Sequence, residues 1–351
     1  TNLYTDKLLE YISSNLDDQQ PFFAFATYTS PHWPLQVDDK YWKKYQGKFD
    51  AGYEQLRADR LESLKEAGMI PSNSQLPPLH PAIKPWNSLS AEEQKKEARK
   101  MELYAGMVDN LDENIGWLFS FLKEKGAYEN TLIIFMTDNG AAGEDFFYSE
   151  YFGPFLKEYY TDEYSQMGKE NSFISYGPQW AEAGSSPFYL YKGFTSEGGM
   201  VAPLIISGSP VNLKGKIHDT FLSVMDIAPT IYDLAGITYP DQFQGKNVQK
   251  PVGETILPIL KNEKLEAHDS TYVFALEHRG YAMLRKGKWK LLNLKTPFER
   301  ENFGLYDLEN DLIEQNDLKN TFPEKYQELL KDWDTWSKKV GVQTPTPRPK
   351  K

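Results

Sequence analysis

The sequence predicts an α/β fold in which a mixed, mostly parallel sheet is sandwiched by helices, followed by a smaller C-terminal α+β domain built on an antiparallel sheet. Three observations carry this. Unbroken apolar runs at 21–28, 131–137 and 203–206 read as strands buried on both faces, as in a doubly covered sheet. Stretches with apolar residues at helical spacing separate them. Beyond about Pro258, short apolar runs divided by Gly-containing turns read as an antiparallel meander.

The elements follow in order. Leu8, Leu9, Ile12 and Leu16 recur at helical spacing until Asp17-Asp18-Gln19-Gln20 breaks the pattern. The run 21–28 is the first strand. Residues 31–86 are irregular, rich in proline and aromatics, with a charged helical piece at 50–65; such length marks a functional excursion rather than a simple connection. Ser90-Ala91-Glu92-Glu93 is a capping box that opens either one long helix or two shorter ones. Its later part carries Tyr104, Met107, Val108, Leu111, Ile115, Leu118 and Leu122 on one face, and Gly126 stops it. The second strand, 131–137, ends at Asp138-Asn139-Gly140. A polar segment, 144–186, leads to the third strand at 203–206 and a helix at 221–236 packed back on the sheet.

In the C-terminal part 272–276, 281–285 and 289–292 are strands, with Lys286-Gly287-Lys288 as a turn, and 323–340 is an amphipathic helix. The chain therefore divides at 1–262, 263–342 and a tail, 343–351, whose Pro/Lys composition reads as disordered. Only three or four strands are legible before residue 260, against about five or six in a typical sheet, so further strands are expected to precede Thr1.

Composition narrows the chemistry. The 351 residues hold 39 Lys+Arg against 50 Asp+Glu, a net charge of −11, which disfavours nucleic acid as a partner. No apolar run approaches the roughly 20 residues of a spanning helix, so no membrane partner is expected. The absence of cysteine removes thiolate nucleophiles, thiolate metal sites and disulfides.

Three places carry candidate chemistry. Asp138 and Asn139 follow a buried strand, the edge where α/β sheets place ligands, and their oxygens suit a hard cation such as Ca²⁺ or Mg²⁺. Asn-Gly after a strand is equally a common turn, and two oxygens cannot complete a shell of about six to eight. His32 lies between Pro31 and Pro34 beside Trp33, a restrained position that suits a general acid or an anion donor, and also an ordinary polar loop residue. Lys192 precedes Gly193 and the pair Gly198-Gly199, where it either holds an anionic oxygen or is a solvated loop lysine. His80, His218, His268 and His278 share no metal-ligand spacing, and Asp226 reads as a cap or pin at a helix start.

The order of these segments is more specific than any one of them. Pro21-Phe22-Phe23-Ala24-Phe25, then Ser30-Pro31-His32-Trp33-Pro34-Leu35-Gln36, Met107-Val108-Asp109, Phe135-Met136-Thr137-Asp138-Asn139-Gly140-Ala141 and Tyr191-Lys192-Gly193 with Glu197-Gly198-Gly199 resemble the type I sulfatases of the alkaline phosphatase superfamily, above all bacterial arylsulfatases. The likeness extends to Tyr176-Gly177-Pro178-Gln179-Trp180, Met225-Asp226-Ile227-Ala228-Pro229-Thr230, Arg285-Lys286-Gly287-Lys288-Trp289-Lys290 and Leu305-Tyr306-Asp307-Leu308, nearly the whole chain. It implies an alkaline-phosphatase-like fold, here incomplete at the N-terminus. It also implies that Asp138 and Asn139 ligate Ca²⁺ (Mg²⁺ less so), that Lys192 binds a sulfate oxygen, and that His32 donates to the sulfate or the leaving oxygen of a small sulfate ester. In that family the nucleophile is a formylglycine hydrate made from a Cys/Ser-x-Pro-x-Arg motif.

The chain departs from the family there. It has no cysteine and no Ser-x-Pro-x-Arg, nor the family's N-terminal aspartate pair. The expectation is therefore the C-terminal two-thirds of a sulfatase whose missing N-terminal segment supplies the nucleophile. Where many relatives read Gly-Gly-x-Arg-x-Pro, this chain has Gly198-Gly199-Met200-Val201-Ala202-Pro203. A phosphate or phosphonate ester hydrolase on the same scaffold, or a non-catalytic anion-binding relative, are the alternatives. The resemblance implies a periplasmic or secreted protein, and a cytoplasmic one stays open.

Overall fold

A computed structural model describes residues 1–16, 20–213 and 215–343. The expected break at 17–19 and the tail past 343 lie outside the described residues. The chain divides into two compact units, residues 1–128 with 140–200, and residues 129–139 with 201–351.

The first unit is helical. It comprises α1 (Asn2–Asn15), α2 (Asp39–Trp42), α3 (Gly52–Glu66), α4 (Ala91–Glu124), α5 (Gly153–Tyr159), α6 (Gly177–Ser185) and α7 (Glu197–Met200). Helix α4 is one unbroken element of 34 residues, opened by the expected capping box: the Ser90 side chain accepts from the Glu93 N–H and the Glu93 carboxylate accepts from the Ser90 N–H. The core of this unit is aromatic. Tyr53 of α3, Trp86 and Trp180 of α6 meet edge to face at ring distances of 5.4–6.1 Å. Arg99 of α4 lays its guanidinium 3.9 Å from the Trp42 ring and bonds Glu102 at 2.7 Å, so two charged groups share the core without an unpaired charge.

The run 21–28 corrects the sequence reading. It forms no strand, and its Phe23 and Phe25 stand 73% and 80% exposed. Apolar character marks a strand only where a neighbour offers a ladder, and no described strand pairs with this run.

The second unit holds all the named strands. β1 (Leu132–Met136) pairs with β2 (Leu204–Gly208), β3 (Gln242–Phe243) with β4 (Lys246–Asn247), and β5 (Phe274–His278), β6 (Tyr281–Lys286), β7 (Trp289–Asn293) and β8 (Gly304–Asp307) form a four-stranded meander. Helices α8 (Ile227–Leu234), α9 (Leu257–Leu260) and α10 (Pro323–Val340) complete it. Every named pair is antiparallel, including β1 with β2, so the parallel pairing expected of the first sheet is not found among the described strands. Two apolar strands in succession say that a sheet face is covered, not which way its neighbour runs. β1 is half-buried rather than fully buried, and Ile205 of β2 is 60% exposed.

The meander packs α10 on one face. Leu284, Leu291, Leu305, Leu329 and Trp333 close a dry core there, the inward residues of the strands meeting the apolar stripe of the helix. Asp226 is the helix pin expected from its sequence position: it accepts the N–H groups of Ser223 at 2.7 Å and Glu254 at 2.8 Å.

Candidate active site

The loop bearing His32 is fixed from both sides. Ser30 Oγ donates to the Met107 carbonyl of α4 at 3.2 Å. On the far side Leu35, fully buried, donates its N–H to the Ile174 carbonyl at 2.8 Å, and Gln36 Nε2 donates to the Ser172 carbonyl at 2.9 Å. The peptide bonds before Pro31 and Pro34 are cis. His32 is exposed, and its Nδ1 lies 2.8 Å from the Trp33 carbonyl oxygen. A carbonyl only accepts, so Nδ1 carries the hydrogen, and Nε2 is left as the nitrogen that can exchange a proton with a ligand.

Lys192 sits in a knot of backbone. Its N–H donates to the Ala141 carbonyl at 3.0 Å, the Gly198 N–H to the Tyr189 carbonyl at 3.1 Å, and Ser196 Oγ to the same Tyr189 carbonyl at 2.7 Å. The knot closes only on glycine. A Cβ on Gly198 would lie 2.1 Å from the Leu190 carbonyl oxygen, and one on Gly140 would lie 2.5 Å from that of Gly198. The phenol of Tyr176 accepts the Ala142 N–H at 3.0 Å, and burial pushes its ionisation well above the usual range, so it stays a neutral prop.

One short segment touches both loops. Lys192 Nζ lies 4.0 Å from Glu144 Oε1. Two residues on, the Phe146 ring meets Trp33 edge to face at 4.9 Å, and Trp33 also leans on Phe173 at 5.7 Å. Both charges of the Lys192–Glu144 contact are about one-third exposed, so the pair is loose and leaves the ammonium able to hold an anion. Glu144 and the Trp33–Phe146–Phe173 wall escaped the sequence reading; the carboxylate three residues past the Asp-Asn-Gly-Ala motif was the available signal.

Asp138 and Asn139 follow β1 in the second unit, where Thr137 donates its N–H to the Pro203 carbonyl at 3.4 Å and its Oγ1 to the Asn139 carbonyl at 3.3 Å. Asp138 is exposed and Asn139 half-buried. Their carboxylate and amide oxygens fit a hard cation in kind. They do not fit it in number, because no group of three His, Asp or Glu side chains that could hold a metal occurs among the described residues. The structure thus places His32 and Lys192 in the first unit, joined through 144–146, and Asp138 with Asn139 at the end of β1 in the second.

The sulfatase family profile matches residues 1–237, and that of the N-sulphoglucosamine sulphohydrolase C-terminal region matches 187–339. An uncharacterised sulfatase of Schizosaccharomyces pombe is 37% identical over 348 residues, 98% of this chain and 62% of the relative. An arylsulfatase of Klebsiella aerogenes is 38% identical over 242 residues, 69% of this chain and 52% of the relative. The chain thus spans between half and two-thirds of the length of these relatives. Among solved structures, Ps i-CgsB superimposes with a TM-score of 0.60 at 20% identity over 95% of this chain and 54% of that one. A phosphonate monoester hydrolase from Silicibacter pomeroyi superimposes with 0.54 at 17% identity over 95% and 60%, so the likeness to these structures speaks for the fold. With 237 of its 351 residues matched by the family profile, the chain belongs to the sulfatase family.

Proposed function

We propose that this chain is part of a sulfuric ester hydrolase of the arylsulfatase type, contributing the anion-holding lysine and the leaving-group donor. The observation that carries the reading is the glycine-locked knot that fixes Lys192 against the segment directly following Asp138-Asn139. Lys192 holds a sulfate oxygen as a point charge and stabilises the negative charge that the transferring group keeps in the transition state. Glu144 restrains the ammonium without neutralising it. His32, its Nδ1–H held by the Trp33 carbonyl, acts as the imidazolium: its Nε2–H passes to the departing ester oxygen, which would otherwise leave as a costly alkoxide, and the ring is left as the neutral Nδ1–H tautomer.

Asp138 and Asn139 would hold two positions of a Ca²⁺ shell, with Mg²⁺ the less suited ion. Once bound, such a cation withdraws charge from the sulfate oxygens. The remaining ligands and the attacking group, a formylglycine hydrate, come under this proposal from a segment of the same protein outside these 351 residues, since the chain has neither a cysteine nor a Ser-x-Pro-x-Arg motif to furnish it. The likeness to the Klebsiella aerogenes arylsulfatase supports an aryl or alkyl sulfate monoester as substrate. The shared fold of a phosphonate monoester hydrolase makes phosphonate and phosphate esters the comparison set.

The complete protein tests this with 4-nitrophenyl sulfate, 4-nitrophenyl phosphate and phenyl phosphonate esters, alongside calorimetric Ca²⁺ titration. We expect preference for the sulfate and loss of both Ca²⁺ binding and turnover in Asp138→Ala. Full activity in that variant removes the metal assignment, and preference for a phosphorus ester removes the sulfatase one.

A further inference from the structure

The carboxylate that faces Lys192 is held from both sides. Before it, the Ala141 carbonyl accepts the Lys192 N–H at 3.0 Å, the Ala142 N–H donates to the Tyr176 phenol at 3.0 Å, and a Cβ on Gly143 would run into the Tyr191 ring. After it, Asp145 lies 3.9 Å from Lys100 of α4, and the Phe146 ring meets Trp33 at 4.9 Å. Glu144 is therefore kept beside the ammonium that it faces at 4.0 Å. Asp145 has Lys100 as its counter-charge, and among the described residues neither Glu144 nor Lys192 makes any other ion pair.

Stability does not account for this placement. An ion pair at 4.0 Å whose side chains are both about one-third exposed contributes little. The second oxygen, Oε2, is shut off from water and meets no hydrogen-bond donor among the described residues, which is a cost rather than a gain. A carboxylate kept at such a cost next to the charge that would hold an anion acts on that anion. A sulfate monoester carries one negative charge. A phosphate monoester has nearly the same tetrahedral shape, but its second pKa of about 6 leaves it doubly charged above neutral pH. Shape cannot separate the two, and charge can. A like charge placed beside the seat penalises the more highly charged ester, which is specificity built by repulsion of the wrong partner.

We infer that Glu144 is a specificity-determining residue: its carboxylate, held against Lys192, biases the site toward singly charged sulfate monoesters and against doubly charged phosphate monoesters. The inference rests on the reading of Lys192 as the residue that holds the transferred group. Glu144 repels each negative charge of a bound ester alike, so removing its charge helps both esters and helps the phosphate more. Any loosening of the Lys192 ammonium falls on both esters and cancels in their ratio.

The complete protein tests this at pH 8 as wild type, Glu144→Gln and Glu144→Asp. The ratio of kcat/KM for 4-nitrophenyl phosphate to that for 4-nitrophenyl sulfate should rise about tenfold in Glu144→Gln, near the weak end for unit charges a few ångström apart at a half-exposed site. Glu144→Asp keeps the charge and should stay within about threefold of wild type. Circular dichroism of each variant checks the fold. A merely structural role lowers both activities together, so an unchanged ratio in folded Glu144→Gln overturns the inference. An equal rise in Glu144→Asp also overturns it, because shape and not charge would then be the cause. Calorimetric titration with methyl sulfate and methyl phosphate reads the same ratio as affinities, without relying on turnover. A protein that hydrolyses neither nitrophenyl ester and still shows the tenfold shift in binding overturns the sulfatase reading and leaves the role of Glu144 standing. Anion binding that is absent, or that Lys192→Met leaves untouched, overturns the lysine seat and this inference with it.

Discussion

The N–H of Lys192 donates to the carbonyl oxygen of Ala141 at 3.0 Å, so the residue that would hold the anion is fastened by main chain to the turn that follows β1. Main-chain tethering of this kind places a charge more tightly than side-chain contacts do, since the knot has few soft dihedrals to relax. It explains the glycines at 140 and 198 by the carbonyls they approach.

Gly198→Ala should therefore loosen the knot. The added Cβ meets the Leu190 and Tyr189 carbonyl oxygens at 2.1 and 2.4 Å, backbone atoms that cannot swing aside. Overpacking of this sort costs about 1–3 kcal/mol, and sulfate monoester turnover should drop with it. Gly116→Ala is the control: it lies within α4 with nothing near its would-be Cβ and should gain up to about 1 kcal/mol. Thermal melts of both variants decide it; a Gly198→Ala protein as stable and active as wild type would show that the knot tolerates a side chain.

For His32 the expected signature is selectivity among leaving groups. His32→Ala should lose about 10²–10⁴-fold in kcat on alkyl sulfates and far less on 4-nitrophenyl sulfate, whose phenolate leaves without help. Equal losses across a leaving-group series would assign His32 to binding the sulfate instead.

The sequence revealed periodic elements well and pairing poorly. The capping box at Ser90, the strand at 132–136 and the helix at 323–340 carry local signals that need no partner to read. The run 21–28 carries a strand's composition, but its partner is a property of the rest of the sheet, and here Phe23 and Phe25 face water. β8 (Gly304–Asp307) went unread because Gly and Asp at its ends look like turn residues, although β7 supplies its ladder. At the site, motif order pointed to His32, Lys192, Asp138 and Asn139. Glu144 and the wall of Trp33, Phe146 and Phe173 become visible only when separate segments meet.

The C-terminal meander buries an ion pair. Lys290 Nζ of β7 lies 2.7 Å from Glu314 Oε1, with both side chains wholly out of water. Removing one member takes away the opposite charge that the other faces at 2.7 Å in a water-free interior. Lys290→Met should thus destabilise by about 3–5 kcal/mol, while the double variant Lys290→Met/Glu314→Leu should recover most of that loss. Urea unfolding of the three proteins measures it, and a double variant no better than the single one would mean that further bonds to these groups matter more than the pair.

Acid sensitivity should be traceable to Glu328 on α10. Its carboxyl is held below the usual range by hydrogen bonds from Lys325 and then from Lys286, whose Nζ lies 3.0 Å away. A carboxyl with a depressed folded value contributes stability above its unfolded value of about 4.3, and that contribution is lost as pH falls through the folded value. Lys286 is raised by Asp332 and then by Glu328, so its share is lost only as pH climbs through a folded value above about 10.4. The carboxyl is 41% exposed and solvent screening keeps its part below about 1 kcal/mol. Glu328→Gln should accordingly be less stable than wild type from pH 5 to 9 and converge with it below about pH 4. Urea midpoints across that range test the assignment: a gap that persists undiminished at pH 3 would place the stabilisation in the packing of the Glu328 stem rather than in its charge.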